Sequence, residues 1–294
     1  MLNSIFNIPF HNGKYIFNSK NGGIVELPKD NKFKDEEIAY LKEHDFIVEN
    51  NEKEVEELLN ETLEFINRDI ETLEITIQLT EECNFSCVYC YQEKKIKEIT
   101  FDKANSILGT FRKILSVHKI NTINVHYFGG EPLLKKDMIY YLDLNLKKMA
   151  KVYNLKYHAY LTTNGYFLDE KLLKNIEFEK IKITIEGLKQ THNMLRKSES
   201  PNFDIIMKNI ENTILYIKKL EIRINLCGEN IDEFEKLVDL IYTKFDKTRN
   251  KIKIDISHML KYNPTDKFTQ LSLEEFSKFN LFARKKYKKK VLNC

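Results

Sequence analysis

The sequence predicts an α/β fold in which a partial (β/α)6 barrel follows a small α+β domain. Two observations point there. From Glu74 onward strand-like and helix-like segments alternate, the signature of parallel strands joined by crossover helices. Polar and apolar residues also alternate inside the strands, as in Lys180-Ile181-Lys182-Ile183-Thr184-Ile185-Glu186 and Lys251-Ile252-Lys253-Ile254-Asp255-Ile256-Ser257. Strands covered by helices on both faces should read as nearly continuous apolar runs. Here isoleucines would face the helices, while Thr76, Gln78, Lys182, Thr184, Glu186, Arg223, Asn225 and Asp255 face a polar interior. A partly open barrel around a polar ligand fits that pattern. An antiparallel sheet with one wet face is the competing reading, and the intervening helices weigh against it.

Residues 1–72 read as a small N-terminal unit, a cap or a peptide-docking domain. Tyr15-Ile16-Phe17 and Gly23-Ile24-Val25-Glu26-Leu27 flank Asn21-Gly22, a dipeptide suited to a tight hairpin turn. A helix over Asp35 to His44, a strand at Phe46 to Val48 and a helix from Glu52 to about Arg68 follow, the last with Val55, Leu58, Leu59 and Leu63 near one face. An exposed strand edge in such a unit would accept an extended peptide.

The barrel is assigned to residues 73–260, with strands at Glu74 to Leu79, Thr122 to Phe128, Lys156 to Leu161, Lys180 to Glu186, Glu221 to Cys227 and Lys251 to Ser257. Helices between them begin near Phe101, Lys135, Asp169, Asp204 and Ile231, with Asn230 and Glu233 placed as a capping box on the last. Met138, Leu142, Leu146 and Met149 recur at helical spacing and belong to the core. Residues 261–294 read as a C-terminal helix with Ser272 and Glu275 as its capping box, a basic run from Arg284 to Lys290, and the start of a further region that stops at Cys294. The basic run suits a solvated helix end, where cations complement the dipole.

Three of the five cysteines fall in Cys83-Asn84-Phe85-Ser86-Cys87-Val88-Tyr89-Cys90. An odd cluster is a poor disulfide framework. Zinc closes its shell with four Cys or His ligands, and the next cysteine, Cys227, lies far along the chain. An iron–sulfur cluster held by three thiolates leaves one iron open for chemistry, and it is the favoured reading over a zinc knuckle. Net charge is +3, with 47 basic and 44 acidic residues intermixed, so no polyanion-binding field and no nucleic-acid partner are expected. The first basic residue is Lys14 and no long apolar run occurs, which leaves a signal peptide or membrane span unsupported and a soluble protein of a reducing cytoplasm expected.

The strand ends carry the remaining chemistry, as the C-terminal face does in β/α barrels. Phe128-Gly129-Gly130-Glu131-Pro132 follows the second strand, and its glycines let backbone approach a ligand. Thr162-Thr163-Asn164-Gly165 follows the third, and Thr184-Ile185-Glu186-Gly187 closes the fourth before His192, Asn193 and Arg196. Asn225, Cys227 and Asn230 lie behind the fifth. Alternation would turn Cys227 into the lumen with Arg223 and Asn225, where its thiol could donate hydrogen to a radical, although a buried small residue is the simpler assignment.

With these motifs in order, the stretch from Glu74 to Ser257 resembles the radical S-adenosylmethionine (radical SAM) enzymes, and the barrel would be of the radical SAM type. Within them it resembles the peptide- and protein-modifying branch that carries a C-terminal auxiliary-cluster (SPASM) domain, here without most of that domain. The resemblance implies that Cys83, Cys87 and Cys90 bind one [4Fe-4S] cluster and that SAM chelates the open iron. It places Tyr89 beside the adenine, the backbone and carboxylate of Gly129, Gly130 and Glu131 at the methionine amino group, and Asn164, Thr184, Glu186, Arg196 and Asn225 at the ribose or carboxylate. A guanidinium at Arg196 suits a carboxylate through paired charge-assisted bonds. One departure stands out: the usual Ser-x-Asp-Gly is Thr184-Ile185-Glu186-Gly187, one methylene longer at the acid.

The expected function is a radical SAM peptide maturase. It would cleave SAM reductively to a 5′-deoxyadenosyl radical that abstracts hydrogen from a peptide residue, forming a thioether or other cross-link. Its partners would be a precursor peptide or protein and a flavodoxin- or ferredoxin-like electron donor. Alternatives are an anaerobic sulfatase-type protein maturase, and a truncated relative that binds cluster and SAM without full turnover, since only Cys227 and Cys294 lie outside the motif.

Overall fold

A computed structural model describes residues 2–10, 12–20, 22–28, 32–66, 71–92, 97–262, 266–288 and 290 of the chain. The chain divides into two compact units, Met1–Asp69 and Ile70–Cys294.

The first unit runs β1 (Leu2–Asn3), β2 (Asn7–Phe10), β3 (Tyr15–Asn18), β4 (Ile24–Glu26), α1 (Asp35–Glu43), β5 (Ile47–Val48) and α2 (Asn51–Ile66). Strands β2, β3 and β4 form an antiparallel sheet in that order, and β1 pairs with β5. Gly22 takes φ +73° in the β3–β4 turn, a conformation that favours glycine, while Asn21 lies outside the described residues. Helix α2 departs from its expected apolar face. Among its described side chains the buried one is Glu54, whose carboxylate accepts from the Ser4 hydroxyl at 2.6 Å and the Ile5 N–H at 3.3 Å. Val55 and Leu59 are exposed and Leu58 is half-buried; the side chain of Leu63 is outside the described residues.

The second unit continues with β6 (Thr72–Gln78), β7 (Phe85–Cys87), α3 (Phe101–Val117), β8 (Thr122–Phe128), α4 (Lys136–Val152), β9 (Lys156–Thr163), α5 (Glu170–Asn175), β10 (Phe178–Thr184), α6 (Lys189–Leu195), β11 (Arg196–Ser198), α7 (Phe203–Thr213), β12 (Leu220–Leu226), α8 (Phe234–Lys244), β13 (Ile252–His258) and α9 (Leu273–Lys286). Six strands make one parallel sheet in the order β6, β8, β9, β10, β12, β13, which follows chain order. Each crossover therefore returns to the adjacent position, the economical way to curl a sheet into an open barrel. Ile181, Ile183, Ile222 and Ile254 are fully buried in the main apolar core with Leu142 and Leu146 of α4. Lys182, Arg223 and Asn225 are only half-buried on the opposite strand face, whereas Thr76 and Gln78 on edge strand β6 are exposed. The polar interior thus belongs to the middle and far strands.

Two features escape sequence periodicity. Helix α6 has seven residues, and a two-stranded antiparallel ribbon pairs β7 with β11, setting Arg196 opposite Cys87. Both are too short to show a repeating pattern. The capping box expected of Asn230 and Glu233 does not form. Asn230 instead accepts from Cys227 N–H and donates to the carbonyls of Glu186 and Asn225, while Glu233 accepts from Leu188 N–H and the Thr191 hydroxyl, both at 2.8 Å. Partners from the β10–α6 turn outcompete the helix end. On α9 the box forms as expected, with Ser272 Oγ accepting from Glu275 N–H and the Glu275 carboxylate accepting from Ser272 N–H. The carbonyl of Lys290 accepts from Ile254 N–H at 2.8 Å, so chain beyond α9 covers part of the open edge of β13. Cys294 lies outside the described residues.

Candidate active site

The cysteine loop is stitched to its neighbour by backbone. Gly130 N–H donates to the Thr80 carbonyl and Glu131 N–H to the Glu82 carbonyl, both at 2.8 Å. This approach requires glycine: a Cβ on Gly129, at φ +151°, would stand 2.6 Å from Thr80 O, and one on Gly130 would stand 2.2 Å from Glu82 O. The two glycines after β8 therefore let the segment that leads into Cys83 lie directly against them.

Glu131 completes the stitching. Its fully buried carboxylate accepts from Leu133 N–H at 2.9 Å, the Thr163 hydroxyl at 2.7 Å and Asn164 N–H at 2.7 Å, tying the loops after β8 and β9 together. Burial raises its pKa, and these three donors pull it back. Expected to face a ligand, this carboxylate is instead engaged by three internal donors, and of the motif Phe128, Gly129 and Gly130 line the cavity. Asn164 in turn donates to Asn84 Oδ1 at 2.8 Å and lies 3.9 Å from Cys83 Sγ, so it steadies the start of the cysteine loop.

A second network holds the other end of that loop. The Tyr89 hydroxyl donates to Glu186 and accepts from Arg196 Nη1 at 2.9 Å. Glu186 also accepts from Asn225 N–H at 2.7 Å and Asn225 Nδ2 at 2.6 Å. Burial raises the pKa of both Tyr89 and Glu186; the Arg196 charge opposes the shift at each. His192 is buried behind them, with Nδ1 accepting from Glu186 N–H at 3.1 Å and Nε2 facing Asn202 Oδ1 at 2.9 Å. That pattern assigns the proton to Nε2, and burial pushes the imidazole pKa down to about 3.

These networks surround a cavity of about 270 Å³ lined by Cys83, Cys87, Cys90, Tyr89, Gly129, Gly130, Asn164, Thr184, Arg196 and Asn225. The three cysteines and most of the expected SAM contacts meet there, whereas Glu131, Glu186 and Cys227 are not part of its lining. Burial pushes the Cys83 thiol up to about 11 and raises Cys87, and the nearby Arg196 charge works the other way on both. Arg196 is 7% exposed, and its Nε is a buried donor without a hydrogen-bond partner among the described residues. Such an orphan is costly unless an acceptor arrives. Among the described residues no three His, Cys, Asp or Glu side chains converge on a single-ion site. The three thiols share this one cavity, a donor set that suits a cluster held by three thiolates. The thiols, the close-packed glycine cradle and the orphaned guanidinium N–H thus fit a cluster with an amino-acid-like ligand beside it.

Cys227 takes the simpler of its two expected places, a buried small residue, and not the lumen. Strand β12 ends at Leu226, the alternation ends with it, and the thiol turns into a separate apolar cluster with Leu195, Met259 and Phe268. It is fully buried and its pKa is raised by that burial. Sequence reading also missed part of the wall: Tyr91, Met259, Leu260 and Tyr262 line the cavity, with Tyr91 and Tyr262 rings 5.5 Å apart. The 259–262 segment follows β13 directly, so its position at a strand end was the available signal.

Fold and site define a partial parallel barrel with a three-thiol pocket at the strand ends, the architecture of a cluster-dependent enzyme. The chain belongs to the radical SAM superfamily, whose family model matches residues 77–241. A GTP 3′,8-cyclase of Clostridium botulinum is 28% identical over 173 residues, covering 56% of this chain and 51% of the relative. The chain thus spans about half the length of the curated relatives it matches. Among solved structures, native anSMEcpe with bound AdoMet and Cp18Cys peptide aligns with TM-score 0.58 at 22% identity, over 72% of this chain and 58% of that one. Streptococcus suis SuiB bound to precursor peptide SuiA aligns with TM-score 0.57 at 13% identity, over 95% of this chain and 69% of that one. These likenesses show the fold. No helix among the described residues is long and apolar enough to cross a membrane.

Proposed function

We propose that this chain is a radical SAM enzyme that abstracts a hydrogen atom from a residue of a precursor peptide or protein, leading to a thioether or another cross-link. In this reading Cys83, Cys87 and Cys90 hold one [4Fe-4S] cluster. When bound, cluster and SAM supply the hard chemistry: one electron from a flavodoxin- or ferredoxin-like donor breaks a carbon–sulfur bond and yields the 5′-deoxyadenosyl radical. The protein's own residues orient and exclude. Arg196 offers its orphaned Nε to the SAM carboxylate, and Gly129 and Gly130 admit the amino group against backbone. Tyr89 presents a ring fixed by Glu186 and Arg196, while Thr184 and Asn225 complete the polar wall. The observation that carries this reading is the meeting of the three thiols and Arg196 in one cavity, with the buried Nε of Arg196 lacking a hydrogen-bond partner among the described residues.

The peptide assignment draws support from the first unit. A cleft of about 630 Å³ lies between β4, the end strand of its sheet, and α1, lined by Val25, Leu27, Pro28, Phe33, Tyr40 and Leu41 together with Glu26, Glu36 and Glu37. A strand edge without a partner among the described residues, beside a cleft of mixed apolar and acidic lining, suits an extended peptide. The alignment with peptide-bound SuiB spans so much of this chain that it includes most of that unit. A nucleotide reading, cyclisation of GTP, is favoured by the sequence relatives. The test is anaerobic reconstitution with iron and sulfide, then dithionite and SAM, with the precursor peptide or GTP offered. Formation of 5′-deoxyadenosine and a mass change on the peptide support the proposal; conversion of GTP alone selects the second reading. Formylglycine and a cross-link differ in mass, which separates a sulfatase-type maturase.

A further inference from the structure

The lumen below the thiols carries charge that neither cluster ligation nor SAM binding uses. Lys182 on β10, Arg223 on β12 and Asp255 on β13 lie on one strand face, with Arg223 and Asp255 paired in register. One oxygen of Asp255 accepts from both Arg223 Nε at 2.7 Å and Lys182 Nζ at 3.0 Å. Glu221 takes Lys182 at 2.5 Å and Lys180 at 2.8 Å. Both carboxylates are nearly buried, at 4% and 5% exposure, while Lys182 and Arg223 line the cavity that holds the three cysteines. Three cations against two carboxylates leave this patch with one surplus positive charge. The positive field is felt nearby, since after burial the charges of Lys182 and Lys180 are what lower the pKa of His126.

A guanidinium has five N–H donors in a fixed plane. Arg223 spends Nε on Asp255, and among the described residues neither Nη is assigned a hydrogen bond. The bond at Nε fixes the plane of a residue that lines the cavity, and the two Nη groups left over are the kind of donor pair that matches a carboxylate. As an internal ion pair alone it would be a poor source of stability.

We propose that Arg223, with Lys182 beside it, anchors one carboxylate of an acidic residue in the peptide substrate and so fixes which neighbouring C–H faces the thiol end of the lumen. This rests on the peptide reading above. A surplus of one charge neutralises one carboxylate, whereas a nucleoside triphosphate brings several negative charges that Asp255 and Glu221 would repel.

The test uses anaerobically reconstituted protein with SAM and two blocked pentapeptides, Gly-Gly-Glu-Gly-Gly and its glutamine counterpart, with GTP as a third probe, followed by saturation-transfer NMR. The glutamate peptide should bind at least about tenfold more tightly than the glutamine peptide, and Arg223→Gln should remove the difference. Arg223→Lys keeps the charge but loses the planar fork, and should retain only part of it; this variant decides the matter if Arg223→Gln fails to fold. Equal binding of the two peptides, or an unchanged preference in the folded variants, overturns the anchor. Tighter binding of GTP that depends on Arg223 overturns the carboxylate assignment in favour of a nucleotide. Absence of 5′-deoxyadenosine after dithionite is added to the wild-type preparation with SAM would instead sink the enzyme reading, whatever the peptides do.

Discussion

Glu131 and Arg196 sit at the same end of the barrel and are both almost wholly buried, yet their hydrogen bonding differs. Glu131 is saturated by three donors from its own chain, whereas Arg196 keeps a buried N–H without an acceptor. Groups engaged by internal partners are positioning devices: Glu131, Glu186, Asn230 and Glu233 each hydrogen-bond to a segment from another part of the barrel. Unspent donors at Arg196, and in the lumen at Arg223, are where the proposed ligands would be received. The distinction separates structural from ligand-facing residues that look alike in sequence.

The comparison can be broken first at Glu131. Glu131→Ala would leave three buried donors unpaired and should cost about 3–5 kcal/mol of stability, read by urea denaturation. A cost below about 1 kcal/mol would mean that the carboxylate is not the loop clamp described here. Next, Arg196→Gln should weaken SAM binding about ten- to a hundredfold, the worth of a hydrogen bond to a charged group, as measured by calorimetry on reconstituted protein. Unchanged affinity would remove Arg196 from the ligand-facing class.

Glu186→Asp restores the acid of the common pattern but shortens the reach to Tyr89. Loss of that contact should lower stability by about 1–2 kcal/mol, and an equal or greater stability would show the extra methylene to be incidental. The smallest effect is expected at His192. Its folded pKa of about 3 lies below the ordinary value of 6.5, so the unfolded chain takes up a proton first as pH falls. Its contribution is complete above pH 6.5 and is lost progressively toward pH 3. Between pH 6.5 and 5.5 the protein should lose about 1 kcal/mol through this residue, and His192→Gln should flatten that slope.

Much of this arrangement is legible in sequence because alternation and motif order encode it. The strand Thr122–Phe128 has the expected bounds, and every barrel strand was identified within a few residues. Strand β9 runs on through Thr162 and Thr163, whose β-branched side chains favour extension over the expected turn. What stayed hidden is tertiary. No local rule says that Glu131 turns inward, that Glu233 leaves its helix end for the β10–α6 turn, or that α2 buries Glu54 and not Val55. Each depends on donors supplied by distant segments. Cys227 shows the limit of period-two reasoning, which fails one residue past the strand's end.

The central claim is that Cys83, Cys87 and Cys90 hold a redox cluster that leaves room for SAM. Electron paramagnetic resonance of the dithionite-reduced, anaerobically reconstituted protein tests it most directly, with iron and sulfide counted in the same sample. About four irons per chain and a reduced-cluster signal that shifts on adding SAM, both lost in Cys87→Ala, are the predicted result. Zinc without sulfide, or a cluster signal indifferent to SAM, would contradict it.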